Sequence, residues 1–313
     1  LQKKSVVVLD GLSAQSIKST GASNLASAVK NIPGVSIEGG KYVYVRGLGD
    51  RYTKSILNGI DIPGLDPDRN TIQMDLFPTN ILDNVIVLKS ASAEYPADFT
   101  GGIVDIVTKD FPTKPEYTIS LGTGYNPEMH FNDKYLTYAN FDFGFTLGNQ
   151  YDLGDDKIGY QASFSYKNET IFYENRKDGA FIKNNSDSSI NDLNFVLDSN
   201  GSEGINNVIL NGMLGLAYKT DKSKFKVNLL HIQNGESTAG IFDQVISQDG
   251  VGGGLEPLTK NALTYTERSI TNVLISGDHR LSDNENAFNL EWKFSPTFSK
   301  VMDKDHRITP LQQ

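Results

Sequence analysis

The sequence predicts a mixed α+β domain followed by the antiparallel strands of an incomplete transmembrane β-barrel, and three observations carry that prediction. Over residues 1–113, short apolar runs, helix-capping residues and glycine-rich turns are interleaved. From Glu116 onward, long stretches alternate apolar and polar residues with a period of two. The segments that join those stretches are alternately long and short. We therefore expect a first domain over residues 1–113 and barrel strands over residues 114–313.

In chain order, residues 5–10 form a β-branched run suited to a strand. Ser13 and Ser23 stand where helix N-caps belong, ahead of Ala-containing segments that stop at Pro33 and Gly34. Residues 42–46 and 55–57 predict short strands around a glycine-rich turn, and Pro78 opens a short helix. Residues 85–88 and 103–107 are apolar runs of strand length, and Pro63, Gly64 and Asp66 mark an exposed loop.

The alternation then predicts seven strands. Tyr117, Ile119 and Leu121 begin it, Phe141, Phe143 and Phe145 continue it, and Ile158, Tyr160 and Phe164 make a third. Leu210, Leu214 and Leu216 mark the fourth, although Ile209 and Met213 interrupt its polar face. Phe225, Val227 and Leu229 give a shorter fifth, residues 264–276 a blurred sixth, and Leu290, Trp292 and Phe294 a seventh. Residues 168–205 and 234–263 read as long connections, whereas residues 220–224 and 280–285 read as tight turns. Outer-membrane barrels show this grading, with long outer loops and short periplasmic turns; residues 126–134 make a modest first outer loop. A soluble β-sandwich also alternates, but its loops are less regularly graded.

Composition limits the function. The 313 residues carry a net charge of -9, which disfavours nucleic-acid binding because no basic surplus is available to displace phosphate counterions. No cysteine is present, so disulfides, thiolate metal sites and cysteine nucleophiles are excluded. No apolar run reaches the roughly 18 residues of a helical span. The mean hydropathy of -0.35 still suits a barrel wall, where one face is polar. The chain opens at Leu1 with no leader, so we expect any secretory signal to have been removed. Seven strands are too few to close a wide barrel, and we expect about 15 more, to the 22 of plugged transporters.

Several ordered motifs carry a resemblance. Asn31, Pro33, Gly34 and Val35 are followed by Val45-Arg46-Gly47, Leu57-Asn58-Gly59 and Val85 through Lys89 and Ser90. Gly101-Gly102 then opens a run that ends in Thr108-Lys109. In this order they resemble the plug domain of TonB-dependent outer-membrane receptors, and the run beyond residue 116 resembles the start of their barrel. Arg46-Gly47-Leu48-Gly49-Asp50-Arg51-Tyr52, with Asp66 through Arg69 and Asp75 through Pro78, resembles a branch common in Bacteroidota and some Proteobacteria. Residues 94–99 depart from the turn that many relatives carry.

The resemblance implies a Gram-negative outer-membrane receptor that imports a scarce nutrient: a siderophore, a cofactor, a glycan or a peptide. It implies coupling to TonB through an N-terminal segment not contained in this chain, contact with outer-membrane lipid, and partners among surface lipoproteins or other envelope proteins. It places Asp50, Arg51, Tyr52, Asp61, Asp66, Asp68 and Arg69 at a ligand-facing plug apex. Arg46, Gly47, Asn58, Gly59, Lys89, Gly101 and Gly102 become plug-structural or plug-to-barrel residues. A non-transporting structural subunit of an envelope assembly is the alternative use of the same fold.

Other chemistries are disfavoured by spacing. Gly47 and Gly49 lack the third glycine and the following helix of a dinucleotide loop. Asp66, Asp68 and Asn70 begin like a calcium loop, but Thr71 replaces the turn glycine and Phe77 the closing Glu. The four histidines have no metal-ligand spacing, no serine elbow exists, and Asp155-Asp156 lies in a turn, so neither an enzyme nor a cofactor is expected. Arg46, preceding a glycine at a strand end, is expected to pair with a wall acid such as Glu291.

Overall fold

The computed structural model describes residues 9–66, 69, 71–90, 101–125, 139–183, 193–247, 255–282 and 288–312. Asp68, the departing motif at 94–99 and the first outer loop lie outside them. The first part builds β1 (Leu9–Ser13), α1 (Ala14–Ser19), α2 (Leu25–Val29), β2 (Val35–Glu38), β3 (Tyr42–Val45), β4 (Thr53–Leu57), β5 (Ile60–Asp61), β6 (Leu82–Leu88) and β7 (Gly102–Thr108). Five of these strands form one sheet in the order β1-β6-β7-β4-β5, in which only the β4–β7 pairing is parallel. The hairpin β2–β3 stands apart.

Local chemistry explains these boundaries. Ser13 caps α1 as its sequence position suggests, its Oγ accepting the Ser16 N–H at 3.2 Å. The cap of α2 is Asn24, one residue beyond the expected Ser23: Asn24 Oδ1 accepts from Ser27 N at 2.9 Å, while the Ser23 carbonyl accepts from Thr79 N at 3.3 Å. Leu57 and Ile60 pair across a two-residue turn in which Asn58 and Gly59 both have positive φ, 53° and 81°. Asn58 donates its N–H to Ile106 O at 2.9 Å, and its Oδ1 accepts from Thr108 N at 3.0 Å, so the turn is tied to β7. Beyond the turn, a side chain added at Gly102 would meet Val45 Cγ1 at 2.7 Å and Leu88 O at 2.8 Å; only glycine allows that approach.

The second part forms a single antiparallel wall: β8 (Glu116–Tyr125), β9 (Ala139–Leu153), β10 (Asp156–Lys183), β11 (Leu193–Lys219), β12 (Ser223–Ser247), β13 (Leu255–Arg280), β14 (Asn289–Phe294) and β15 (Thr297–Gln312). Both β14 and β15 pair with β13, one beyond the other, so they are a single seventh strand interrupted at Pro296. The wall's sheet begins at Glu116, eight residues after the last strand of the first sheet ends at Thr108.

The long connections expected over 168–205 and 234–263 are mostly strand. The β10–β11 ladder runs from Lys157↔Lys219 to Lys183↔Leu193, and the β12–β13 ladder from Ser223↔His279 to Ser247↔Leu255. Their upper reaches carry polar residues on both faces, so backbone pairing persists where the apolar alternation has stopped.

The wall's two faces differ as the alternation requires. Leu214 and Leu216 are exposed outward at 58% and 61%, whereas Gln161, Ser163 and Asn211 are buried against the first domain. Near the short turns the outward face carries aromatic rings: Tyr151 stacks on Tyr160 at 6.1 Å between centroids, and Trp292 Nε1 donates to His279 Nε2 at 2.9 Å. Such a band suits the edge of a bilayer. Inward, Ile209 and Met213 join the same buried cluster as Phe77, Ile72 and Leu76, together with Leu230, Ile232 and Ile270. The residues that blurred the fourth strand's polar face are therefore where the first domain packs on the wall.

Candidate functional site

Charged contacts between the domain and the wall occur at two levels. Close to the short turns, Asp110 Oδ2 accepts from Lys224 Nζ at 2.9 Å and Lys226 Nζ at 2.7 Å. Burial alone would raise the Asp110 carboxyl, but these ammonium groups outweigh it and hold it below the usual carboxylate range. Lys109 pairs with Glu116 at 3.0 Å, joining the last residues of the domain to the first of the wall. Higher up, Lys41, in the turn between β2 and β3, pairs with Glu236 on β12. Arg268 on β13 reaches Glu236 at 3.5 Å and donates to Asn234 Oδ1 at 3.1 Å. Glu236 lies about 40 Å further along β12 than Lys224, so the domain is gripped at both ends of its height.

A connected polar cluster occupies the upper rim of the domain. Arg69 donates to Glu38 Oε2 at 2.9 Å, reaches Asp50 at 3.5 Å, and sets its guanidinium 4.6 Å from the centre of the Tyr42 ring. Tyr42 donates its hydroxyl proton to Asp66 Oδ2 at 2.8 Å and accepts from Gln73 Nε2 at 2.9 Å, and Tyr44 donates to Glu38. Burial, with Asp66 adding to it, pushes the Tyr42 phenol up to about 12, so it remains a donor at neutral pH. Hydrogen bonds from Tyr44 and Arg69 hold the Glu38 carboxyl below its ordinary value. The result is a set of carboxylates, a guanidinium and two phenols fixed in mutual contact, with hydrogen-bonding groups of both kinds at one surface.

Of the expected apex residues, Asp50, Asp66 and Arg69 meet in this cluster. Asp61 stands apart and pairs with Lys54 at 2.8 Å; Arg51 and Tyr52 lie exposed in the short helical turn before β4. Glu38, Tyr42, Tyr44 and Gln73 were not anticipated. The available signal was the β2–β3 hairpin, where Glu38 pairs directly with Tyr42 and Ser36 with Tyr44, so that one face carries both phenols and the acid.

Arg46 does not meet Glu291. It sits in a two-residue turn between Val45 and Leu48 with φ 56°, its side chain is exposed, and Glu291 pairs with Lys293 at 2.9 Å. The positive-φ turn leaves the Arg46 side chain in solvent. Gly47, the second turn residue, has φ 75°. Lys89 acts within the domain, pairing with Asp10 and donating to Pro33 O at 2.7 Å. At Gly101 a side chain would meet Tyr52 O at 2.9 Å. Gly59 donates its N–H to Asp105 Oδ1 at 3.1 Å, beside Lys293 of the wall, whose Nζ is 3.5 Å from Asn58 O.

Residues 2–103 match the family model of the TonB-dependent Receptor Plug Domain. The vitamin B12 transporter BtuB of Vibrio vulnificus (strain CMCP6) is 24% identical over 174 residues, covering 51% of this chain and 28% of the transporter. The ferric citrate transporter FecA in its unliganded form aligns with 99% of this chain and 59% of its own, at 12% identity and a TM-score of 0.44. The siderophore receptor PirA from Acinetobacter baumannii aligns with 100% and 59%, at 12% identity and a TM-score of 0.43. This chain thus spans 28% of the length of the curated relative. Residues 2–103 thus belong to the TonB-dependent receptor plug-domain family, and the antiparallel wall that follows, with its greasy outer face, packs on that domain.

Proposed function

We propose that the complete protein is a receptor and transporter, not an enzyme, that captures a small nutrient on the outer side and admits it when TonB draws on the plug. The supporting observation is the paired placement of contacts: a rim cluster built around Glu38, Tyr42, Asp50, Asp66 and Arg69, and a plug held to the wall by a few ion pairs and one apolar patch. A plug retained by separable contacts can shift without unfolding the wall. Asp50, Asp66 and Arg69, with the exposed Arg51 and Tyr52, form the ligand-facing group on this reading, and Gly101, Gly102, Asn58 and Gly59 shape the plug. The boundary between plug and wall is placed at residues 113–114, supported by the change of sheet between Thr108 and Glu116.

Siderophores and cobalamin are the first ligand classes to test, because a vitamin B12 transporter is among the relatives. The experiment is uptake of labelled cobalamin and of ferric siderophores by cells with and without the gene, each with and without a functional TonB. Uptake of at least one ligand that requires both the gene and TonB supports the reading. Unchanged uptake of every TonB-dependent ligand after deletion would overturn it in favour of a structural envelope subunit.

A further inference from the structure

The segment that leaves the plug, residues 109–112, crosses the inner face of the wall over a floor of glycines. Gly148 on β9, Gln161 on β10, Gly215 on β11 and Asn228 on β12 are direct partners in consecutive ladders and form one row across the wall. Gly159 lies two residues from Gln161, on the same face. A side chain at Gly148 would meet Pro112 Cγ at 2.9 Å, and one at Gly159 would meet Phe111 Cβ at 3.1 Å. At Gly215 it would meet Phe111 Cζ at 3.3 Å and Asn228 Oδ1 at 2.7 Å. None of the three glycines has a positive φ, so any residue could adopt their backbone. They are needed for the space that Phe111 and Pro112 fill. Gly212, on the outer face of β11, would meet nothing within 4 Å.

Polar contacts fasten the same segment. The buried Gln161 amide, oriented with its nitrogen toward the segment, donates to Lys109 O at 3.2 Å and to Asp110 O at 3.0 Å. Lys109 gives its own N–H to Ile81 O of the plug at 2.9 Å, and the Phe111 N–H goes to Asp110 Oδ1 at 2.9 Å. The Asp110 carboxylate then reaches Lys224 and Lys226 on β12, and the Lys109 ammonium reaches Glu116 on β8. The segment thus touches every strand from β8 to β12, through backbone carbonyls, charge and shape together. The upper grip, by contrast, is an ion pair at the tip of the Lys41 side chain, which a long flexible stem releases readily. The apolar patch around Met213 is non-directional and resists sliding less than an interlocked backbone does.

We propose that residues 109–112 are a fixed strap whose seat in the wall holds this end of the plug in place while the rest of the plug loosens. Phe111 and Pro112 supply the shape, Gln161 holds the backbone, and Asp110 fixes the crossing direction through its two lysines. Displacement of the plug then pivots about Phe111 and begins at the upper grip and the apolar patch. The inference concerns how the plug is held and not what the receptor carries.

The test places para-fluorophenylalanine at Phe111 or at Phe77 of the full-length protein in detergent and follows each fluorine by NMR as urea is raised. Phe77 reports the plug core, where it is buried in the same cluster as Met213. The fluorine at Phe111 is expected to keep its folded position at urea concentrations where at least half of the Phe77 signal has moved to the solvent-exposed position. Gly159→Leu, which takes the space of Phe111, should move the Phe111 signal to the solvent-exposed position without urea and leave the Phe77 ring buried. Gly212→Leu should leave both signals unchanged. Signals that move together, a Phe111 signal that moves first, or a Phe111 signal indifferent to Gly159→Leu overturns the proposal. The order of the two urea transitions is measured without either substitution, so it decides the matter even where Gly159→Leu fails to fold. None of these readouts involves uptake, so this inference and the transport reading fail independently.

Discussion

The interior of the plug and the outer face of the wall use the same residue types in opposite ways. Phe77 is 1% exposed among Ile72, Met74 and Leu76, whereas Leu216 on β11 is 61% exposed beside Leu214. Both arrangements satisfy the same rule, that apolar surface avoids water, but the plug does so with its own atoms and the wall with lipid. The patch of Ile209, Met213, Leu230, Ile232 and Ile270 is where the two regimes meet: wall residues that face inward and are buried by the plug.

That contrast predicts a difference in the cost of truncation. Phe77→Ala leaves a cavity that surrounding protein cannot fill and should cost about 3–5 kcal/mol, whereas Leu216→Ala should cost about 2 kcal/mol or less because lipid closes over the gap. Denaturant unfolding of the full-length protein in lipid vesicles measures both. Equal costs would mean that Leu216 packs on protein, and the contrast would collapse.

A smaller effect sharpens it through pH. Burial raises the Asp105 carboxyl to about 6, against the opposing pull of the Gly59 N–H, compared with about 3.9 in an unfolded chain. The folded state therefore holds this proton more tightly. The stabilisation it gives is fully present below about pH 4 and is lost as pH rises through about 6, a change of up to about 3 kcal/mol. The difference between the protein and its Asp105→Asn variant isolates this group from Asp110, whose carboxyl is shifted the other way. A difference that stays flat between pH 4 and 7 would show that Asp105 is solvated.

The smallest effect concerns the backbone. Arg46 at φ 56° occupies a region that costs a side-chain-bearing residue of order 1 kcal/mol or more, so Arg46→Gly should leave stability unchanged or raise it by up to about 1 kcal/mol. A clear loss, read in the same unfolding experiment, would reveal a contact of the exposed guanidinium that the turn geometry hides.

The sequence made the wall's membrane-facing part legible because lipid demands an apolar residue at every second position. It did not reveal the height of the hairpins: Lys167, Asn168, Glu169 and Thr170 pair with Ile209, Val208, Asn207 and Asn206, yet their alternation fades because neither face there is compelled to be greasy. Ile209 and Met213 read as noise for a related reason. Their partner is a domain far away in sequence, which a period along one strand cannot register. In the plug, the turns at Arg46-Gly47 and Asn58-Gly59 were marked by their glycines, while the rim cluster joins Glu38, Asp50 and Arg69 across three separate segments.

The height of those hairpins has a consequence for access. A 28-residue strand such as β10 is about 90 Å long and, at a barrel's tilt, rises about 70 Å, against an apolar band of about 25 Å. Tens of ångströms of paired strand therefore stand clear of the lipid like one side of a chimney. A solute on this side arrives along a polar column of backbone-braced sheet, and one that leaves the rim meets that sheet again before it reaches open water.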